Sequence, residues 1–174
     1  MADPKMHTTV EELREHFAYD PDTGLITWKA RVGRMLPGVV AGSLASDGYG
    51  RVIFRGKYLA SHRIAWALAH GEWPPRLIDH RNGNRADNRL ANLRIATALQ
   101  NSLNRRKTPG KTSIYRGVTW HRGCKKWQAA IRAEGKDIYL GLFEQEADAA
   151  RAFNKAAIAH HGGFTDLNDV GDHA

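Results

Sequence analysis

Asp79, His80 and Asn101 carry the side chains best suited to chemistry in this sequence. Asp79 and Asn101 offer two hard oxygens. Mg²⁺ keeps several waters and takes one or two protein ligands plus phosphate, so a carboxylate and an amide suffice. An imidazole titrates near neutrality, which lets His80 accept a proton from water at working pH. A divalent ion polarises a phosphate and stabilises the departing oxygen. Asn92 can hydrogen-bond across the intervening loop and fix the backbone that carries His80. This is an inventory for hydrolysing a phosphodiester.

The elements that must position these residues read as a compact ββα unit from Leu77 to Arg106. Leu77 to His80 is a short strand, followed by turn formers at Asn82-Gly83-Asn84 and Asp87-Asn88. Leu93 to Ala96 is a second strand. Thr97, with Gln100 three residues on, reads as a capping box over a helix from Ala98 to Arg106. Asn82, Asn84, Asp87 and Asn88 read as turn and cap residues. Neighbours on a regular strand point to opposite faces, so Asp79 and His80 serve one centre only where the strand ends or distorts.

Asp79-His80, Asn92 and Asn101 resemble the HNH nuclease motif in the variant where asparagine replaces the last histidine. The phrases His62-Arg63-Ile64-Ala65-Trp66, Ile78-Asp79-His80, Asn92-Leu93-Arg94 and Gln100-Asn101 resemble phage HNH endonucleases of the homing type. The resemblance implies that Asp79 and Asn101 bind one divalent metal, Mg²⁺, that His80 is the general base, and that Asn92 is structural. His62 matches the family's phrase and is read as a structural histidine rather than a metal ligand.

The chain of 174 residues has room for one domain or two small ones, and 26 Lys and Arg against 18 Asp and Glu suit a polyanionic partner. The single cysteine, Cys124, excludes a disulfide framework and a multi-cysteine zinc site. No apolar run approaches a membrane span. The N-terminus is charged too early for a signal peptide, so an intracellular, cytoplasmic setting is expected. Thr8 or Thr9 caps an expected helix from Val10 to Phe17. A strand at Leu25 to Trp28, a hairpin strand at Tyr49 to Phe54 and a helix from Ala60 to His70, ended by Gly71, follow. Residues 31–46 give no clear pattern. Arg31, Arg34, Arg51, Arg55 and Lys57 are candidate phosphate contacts or simply solvated charges.

Residues 105–111 are basic and helix-terminating, a linker centred on 107–111. Beyond it, strands are expected at Tyr115 to His121, Trp127 to Arg132 and Asp137 to Leu142, then a helix from Gln145 to His161. Ala149, Ala150, Phe153, Ala156 and Ala157 form its apolar stripe. Alternation turns Trp127, Ala129 and Ile131 toward that helix, leaving Gln128, Ala130 and Arg132 outside. A basic, partly aromatic sheet face suits insertion of strands into the major groove.

Tyr115-Arg116-Gly117-Val118, Trp127-Gln128-Ala129-Ala130-Ile131-Arg132, Tyr139-Leu140-Gly141-Leu142-Phe143 and Leu167-Asn168 resemble the APETALA2-type DNA-binding domain. The family's DNA-facing positions fall on Arg116, Thr119, His121, Ala130, Arg132, Asp137 and Tyr139. Arg122, Lys126 and Gln128 join the expected interface. Plant members place arginine at Thr119, His121 and Asp137, glutamate at Ala130 and tryptophan at Tyr139, so the docking mode is expected to carry over and the target sequence is not.

The whole reads as an α+β protein. An HNH ββα-metal nuclease domain occupies residues 1–106, and a small three-stranded antiparallel sheet packed on one helix occupies 112–174. The expected function is metal-dependent cleavage of double-stranded DNA by a phage-encoded, site-preferring nicking or homing enzyme acting as a monomer in a bacterial host. No small-molecule substrate and no membrane partner are expected. The alternatives are a catalytically silent DNA-binding regulator and a nuclease for RNA or branched DNA.

Overall fold

The computed structural model describes residues 8–104 and 112–171, so the expected linker at 107–111 and the end of the Ala98–Arg106 helix fall outside the described residues. The chain forms two compact units, Met1–Asn101 and Ser102–Ala174. Both combine helices with small antiparallel sheets, an α+β architecture.

The first unit opens with α1 (Val10–His16). Thr9 rather than Thr8 is its cap: Glu12 N–H donates to Thr9 Oγ1 at 3.2 Å, and Thr9 N–H donates to Glu12 Oε2 at 3.0 Å. The helix stops one residue before the expected end, because Phe17 is extended and begins β1 (Phe17–Tyr19), which pairs with β2 (Ile26–Trp28). β3 (Ser43–Leu44), β4 (Gly50–Phe54) and β5 (Lys57–Ala60) form a second sheet in that order. α2 (Ser61–His70) follows directly and is closed by Gly71 in the left-handed region, as the sequence predicts.

β6 (Leu77–His80) and β7 (Leu93–Ala96) then pair antiparallel, and α3 (Ala98–Leu103) completes the ββα order. Leu13, Phe17, Val52 and Ile64 are fully buried, and Ile78 and Leu93 join their cluster, so the hairpin is fastened to the core of the unit. Full burial of such a side chain contributes roughly 1.5–3 kcal/mol.

The β1–β2 turn braces the loop after β6. Tyr19 Oη donates to Asn88 C=O at 2.8 Å, and Leu90 N–H donates to Pro21 C=O at 3.0 Å. Gly24, with φ 75°, lies so close to this loop that a Cβ there would sit 2.5 Å from Arg89 N and 2.6 Å from Asn88 C. Only glycine tolerates both the approach and the angle.

The second unit is a three-stranded sheet, β8 (Val118–His121), β9 (Lys126–Ala133) and β10 (Lys136–Phe143), against α4 (Glu146–His161). Val118, Ala129, Ala149 and Ala150 form one buried cluster, and Ile131, Phe153 and Ala157 another. The stripe of small residues read from the sequence is the face α4 buries. β8 starts at Val118 and not at Tyr115, because Gly117 turns with φ 71° immediately before it.

Candidate active site

The β6–β7 register sets Asp79 opposite Arg94 and His80 opposite Leu93. Asp79 and Arg94 are both buried. The guanidinium reaches Asp79 Oδ2 through Nε at 2.7 Å and through Nη2 at 2.6 Å. His80 has a different neighbour: its Nε2 lies 3.1 Å from Asn88 Oδ1. An amide oxygen can only accept, so Nε2 carries the proton and the lone pair of the neutral ring is on Nδ1. The strand stays regular to its last residue, His80, and the two side chains have separate partners.

Sequence reasoning misses Asn88. It lies in a run of Asx residues whose turn chemistry explains each of them locally, so nothing in the sequence separates the one that reaches an imidazole. Arg94 escapes it for a related reason, since only the register reveals the residue facing Asp79.

Asn92 closes the loop. Its Oδ1 accepts from Asn82 N–H at 3.0 Å, and its Nδ2 donates to Asp87 C=O at 2.7 Å, while Arg81 N–H donates to Asn92 C=O at 2.9 Å. Three bonds from one residue thus hold the chain on both sides of the turn just beyond His80.

Asn101 stands one turn into α3. Its position is set by the Thr97–Gln100 capping box, with Gln100 N–H on Thr97 Oγ1 at 3.2 Å and Thr97 N–H on Gln100 Oε1 at 2.8 Å. Asn101 N–H donates to Thr97 C=O at 2.9 Å. Its side chain is half-buried and, among the described residues, hydrogen-bonds none of Asp79, His80 and Asn92.

Among the described residues no group of three or more His, Cys, Asp or Glu is placed to hold a metal ion. The two donors expected from the sequence, the Asp79 carboxylate and the Asn101 amide oxygen, are of the hard type that a hydrated Mg²⁺ accepts. A metal on Asp79 has to share the carboxylate with Arg94.

His62, from the first turn of α2, presents its ring edge to His80 at a centroid distance of 5.3 Å. Tyr49 lies 5.2 Å from His62 and 5.9 Å from His80. Burial, then the neighbouring His80 and Arg63 charges, push the His62 pKa down to about 4. Burial also lowers the His80 pKa, while the Asn88 bond, Asp79 and Asp87 oppose it and Arg85 adds to it. Both rings are therefore neutral at pH 7.

In the second unit the strand register gathers the expected DNA-facing residues. Directly paired residues share a sheet face. Gln128 pairs with Thr119, Lys126 with His121, Ala130 with Tyr139 and Arg132 with Asp137. Gln128, Ala130 and Arg132 alternate along β9 on one side, so all eight residues lie on a single face. Thr119, His121, Arg122, Arg132 and Tyr139 are exposed, and Lys126 and Gln128 half-exposed. Lys126 pairs with Glu144 at 2.7 Å and Arg132 with Asp137 at 3.4 Å. Arg116 is half-buried, and its Nη1 donates to Leu103 C=O at 2.7 Å. Asn168 clasps the Arg116 backbone, with Oδ1 on its N–H at 2.6 Å and Nδ2 on its C=O at 3.0 Å.

Among the described residues no helix is long and apolar enough to cross a membrane. Residues 59–103, the span from β5 to α3, match the family model of the HNH endonuclease. The chain is also 42% identical over 66 residues to the AP2-like ethylene-responsive transcription factor TOE2 of Arabidopsis thaliana, which covers 38% of this chain and 14% of that protein. It is 42% identical over 64 residues to APETALA2-like protein 2 of Oryza sativa subsp. indica, covering 37% of this chain and 15% of the relative. Protein 3.8 of Escherichia phage T7 is 36% identical over 76 residues, covering 43% of this chain and 63% of that protein. The matched part of this chain thus spans about a seventh of the plant proteins and less than two thirds of the phage protein. No solved structure matches.

Proposed function

We propose that this protein is a metal-dependent endonuclease of double-stranded DNA, with the first unit cutting and the sheet of the second unit holding the duplex. The observation that carries the reading is His80: a buried, neutral imidazole whose Nε2 proton is committed to Asn88, inside the span that matches the HNH endonuclease model. With the proton fixed there, Nδ1 is the atom that takes a proton from water.

Asn88 sets the tautomer and ring orientation. Asn92 holds the loop and with it the distance from β6 to the substrate backbone. Asp79 and Asn101 would hold a divalent ion, Mg²⁺, whose charge would polarise the phosphate and stabilise the leaving oxygen. Thr119, His121, Arg122, Lys126, Gln128, Arg132 and Tyr139 are assigned to the DNA face, and Arg116 to its edge. One base and one metal site per chain suit a monomer that nicks a single strand. The bacterial host, phage origin and homing role belong to the same proposal and rest on the sequence resemblance and on the likeness to a phage T7 protein.

One observation favours a second reading, a DNA-binding regulator without catalysis: Arg94 occupies Asp79 Oδ2, where a metal is needed. Supercoiled plasmid and a structured RNA incubated with Mg²⁺ or Mn²⁺ decide between them. The expected result is nicked plasmid, intact RNA, and loss of nicking by EDTA. His80→Ala is expected to bind DNA normally and to lose at least about 100-fold in rate, within the range general-base catalysis supplies. The wild-type rate should fall on acidification, and the inflection should lie below pH 6.5 because burial lowers the His80 pKa. Plasmid binding without cutting under every metal condition would establish the regulator.

A further inference from the structure

Among the described residues six arginines pair with an acid: Arg51 with Asp47, Arg55 with Glu12, Arg89 with Asp87, Arg94 with Asp79, Arg132 with Asp137 and Arg151 with Asp148. Arg85 is held in another way. It lies in the loop between β6 and β7, exposed, and among the described residues no carboxylate is within ion-pair distance of it. Yet it is not a loose surface cation. Its Nη1 donates to Asp47 C=O at 2.8 Å, and its Cζ stands 4.9 Å from the centre of the Tyr49 ring.

The perch itself is fixed. Asp47 Oδ1 accepts from Tyr49 N–H at 3.2 Å, and Ala45 and Tyr49 bond across the turn at 2.9 Å. Arg51 holds the Asp47 carboxylate at 2.5 Å, so that charge is already matched and Arg85 takes the neutral carbonyl. Tyr49 also lies against the imidazole cluster, 5.2 Å from His62 and 5.9 Å from His80 between ring centres. Arg85 thus holds a fixed, unneutralised guanidinium on the ring that lies against His80. Such a group is what an incoming anion requires.

We propose that Arg85, docked on Tyr49 beside His80, is a phosphate-binding residue that grips the DNA phosphate presented to His80. One nitrogen is spent on Asp47 C=O, and the remaining N–H groups of the fork can bond two phosphate oxygens at once. Its place in the loop that leaves His80 ties substrate contact and base to one supporting hairpin. The inference rests on the nuclease reading for the identity of the phosphate as the one cut, and on geometry alone for the binding of a phosphate.

The test uses the full chain with Arg85→Ala, Arg85→Lys and Tyr49→Phe, and two readouts. The first is the salt dependence of affinity for a duplex fragment. Arg85→Ala is expected to lower the slope of log K against log salt by about one phosphate contact, roughly 0.9. Arg85→Lys keeps that slope, and Tyr49→Phe, which retains the ring face, leaves it unchanged. The second is plasmid nicking: Arg85→Ala is expected to reduce kcat about 100-fold or more with less than a tenfold change in KM, as loss of a transition-state donor does. Arg85→Lys recovers only part of it, because a point charge cannot replace the planar fork. An unchanged salt slope for Arg85→Ala overturns the proposal, including the case where nicking is lost, since the residue then supports the turn and touches no phosphate. If the wild type does not nick, the nuclease reading fails by itself and the salt slope still decides whether Arg85 holds a phosphate.

Discussion

His62 and His80 meet edge to face at 5.3 Å, and Nδ1 of His62 is buried without a hydrogen-bond partner among the described residues. Two imidazoles so placed disfavour a charge on either. The folded His62 pKa of about 4 lies below the unfolded value of 6.5. Between those values the unfolded chain binds the proton and the folded one does not, so stability rises with pH there. This contribution is whole above pH 6.5 and is lost as the pH falls toward 4. His80 is displaced the same way and adds to the trend. Urea unfolding at pH 7.0, 5.5 and 4.5 should show a loss of up to about 1.4 kcal/mol per pH unit for each such histidine. His62→Phe should flatten the dependence, and an unchanged slope would place the titrating group elsewhere.

The Asp79–Arg94 pair predicts a non-additive double-mutant cycle. Arg94→Met removes the guanidinium from the buried Asp79 carboxylate and should cost roughly 3–5 kcal/mol. Asp79→Asn removes the charge that faces the guanidinium and should cost a similar amount. The double variant should be more stable than either, read by denaturant midpoints. In the nuclease reading, Arg94→Met should also lower the Mg²⁺ concentration for half-maximal nicking, because a competing cation has left Oδ2.

Arg132 tests the sheet face. It is exposed, bonded to Gly135 C=O at 3.1 Å and near Asp137. Arg132→Ala should weaken specific DNA binding by about 1–3 kcal/mol and relax preference at one or two base pairs, as expected for a bidentate base contact. A loss equal across sequences, with a smaller salt slope, would reassign it to phosphate.

Gly117→Ala probes the support beneath that face. With φ 71°, a Cβ there would stand 2.0 Å and 2.4 Å from the Phe153 ring and 2.7 Å from Ala130 C=O. Ring and carbonyl belong to the packed core, so neither can withdraw cheaply. The variant should lose on the order of 3 kcal/mol or more, and DNA binding should fall with the folded fraction. Wild-type thermal stability would contradict the packing.

What is legible in the sequence is what local signals carry. Long alternations and capping patterns are of that kind, and they suffice to place α2, α4, β9, β10 and the Thr97–Gln100 box. The strands β1, β3 and β5 are two to four residues long, too short for alternation to register. The partners inside the site fall outside local reach. Asn88 finds His80 because the loop folds back, Arg94 finds Asp79 through strand register, and Tyr49 reaches His62 and His80 only through the packing of the unit.

The Asn92 clasp also makes the loop after His80 an exchangeable part. Its two ends are tied by Asn92 to Asn82 and Asp87, and its interior is braced by its own short bonds, Asn84 N–H to Asn82 Oδ1 and Ala86 N–H to Asn84 Oδ1. Arg85 folds from that frame onto Asp47 C=O and the Tyr49 ring, whereas Ala86 is exposed and, among the described residues, its side chain has no part in the bracing bonds. Substitution at Ala86 changes the outer surface of the loop and leaves the mount of the imidazole intact. In the nuclease reading, variation at Ala86 is the route by which such a loop changes its grip on a substrate while keeping its chemistry, and it marks the first position to randomise when retargeting it.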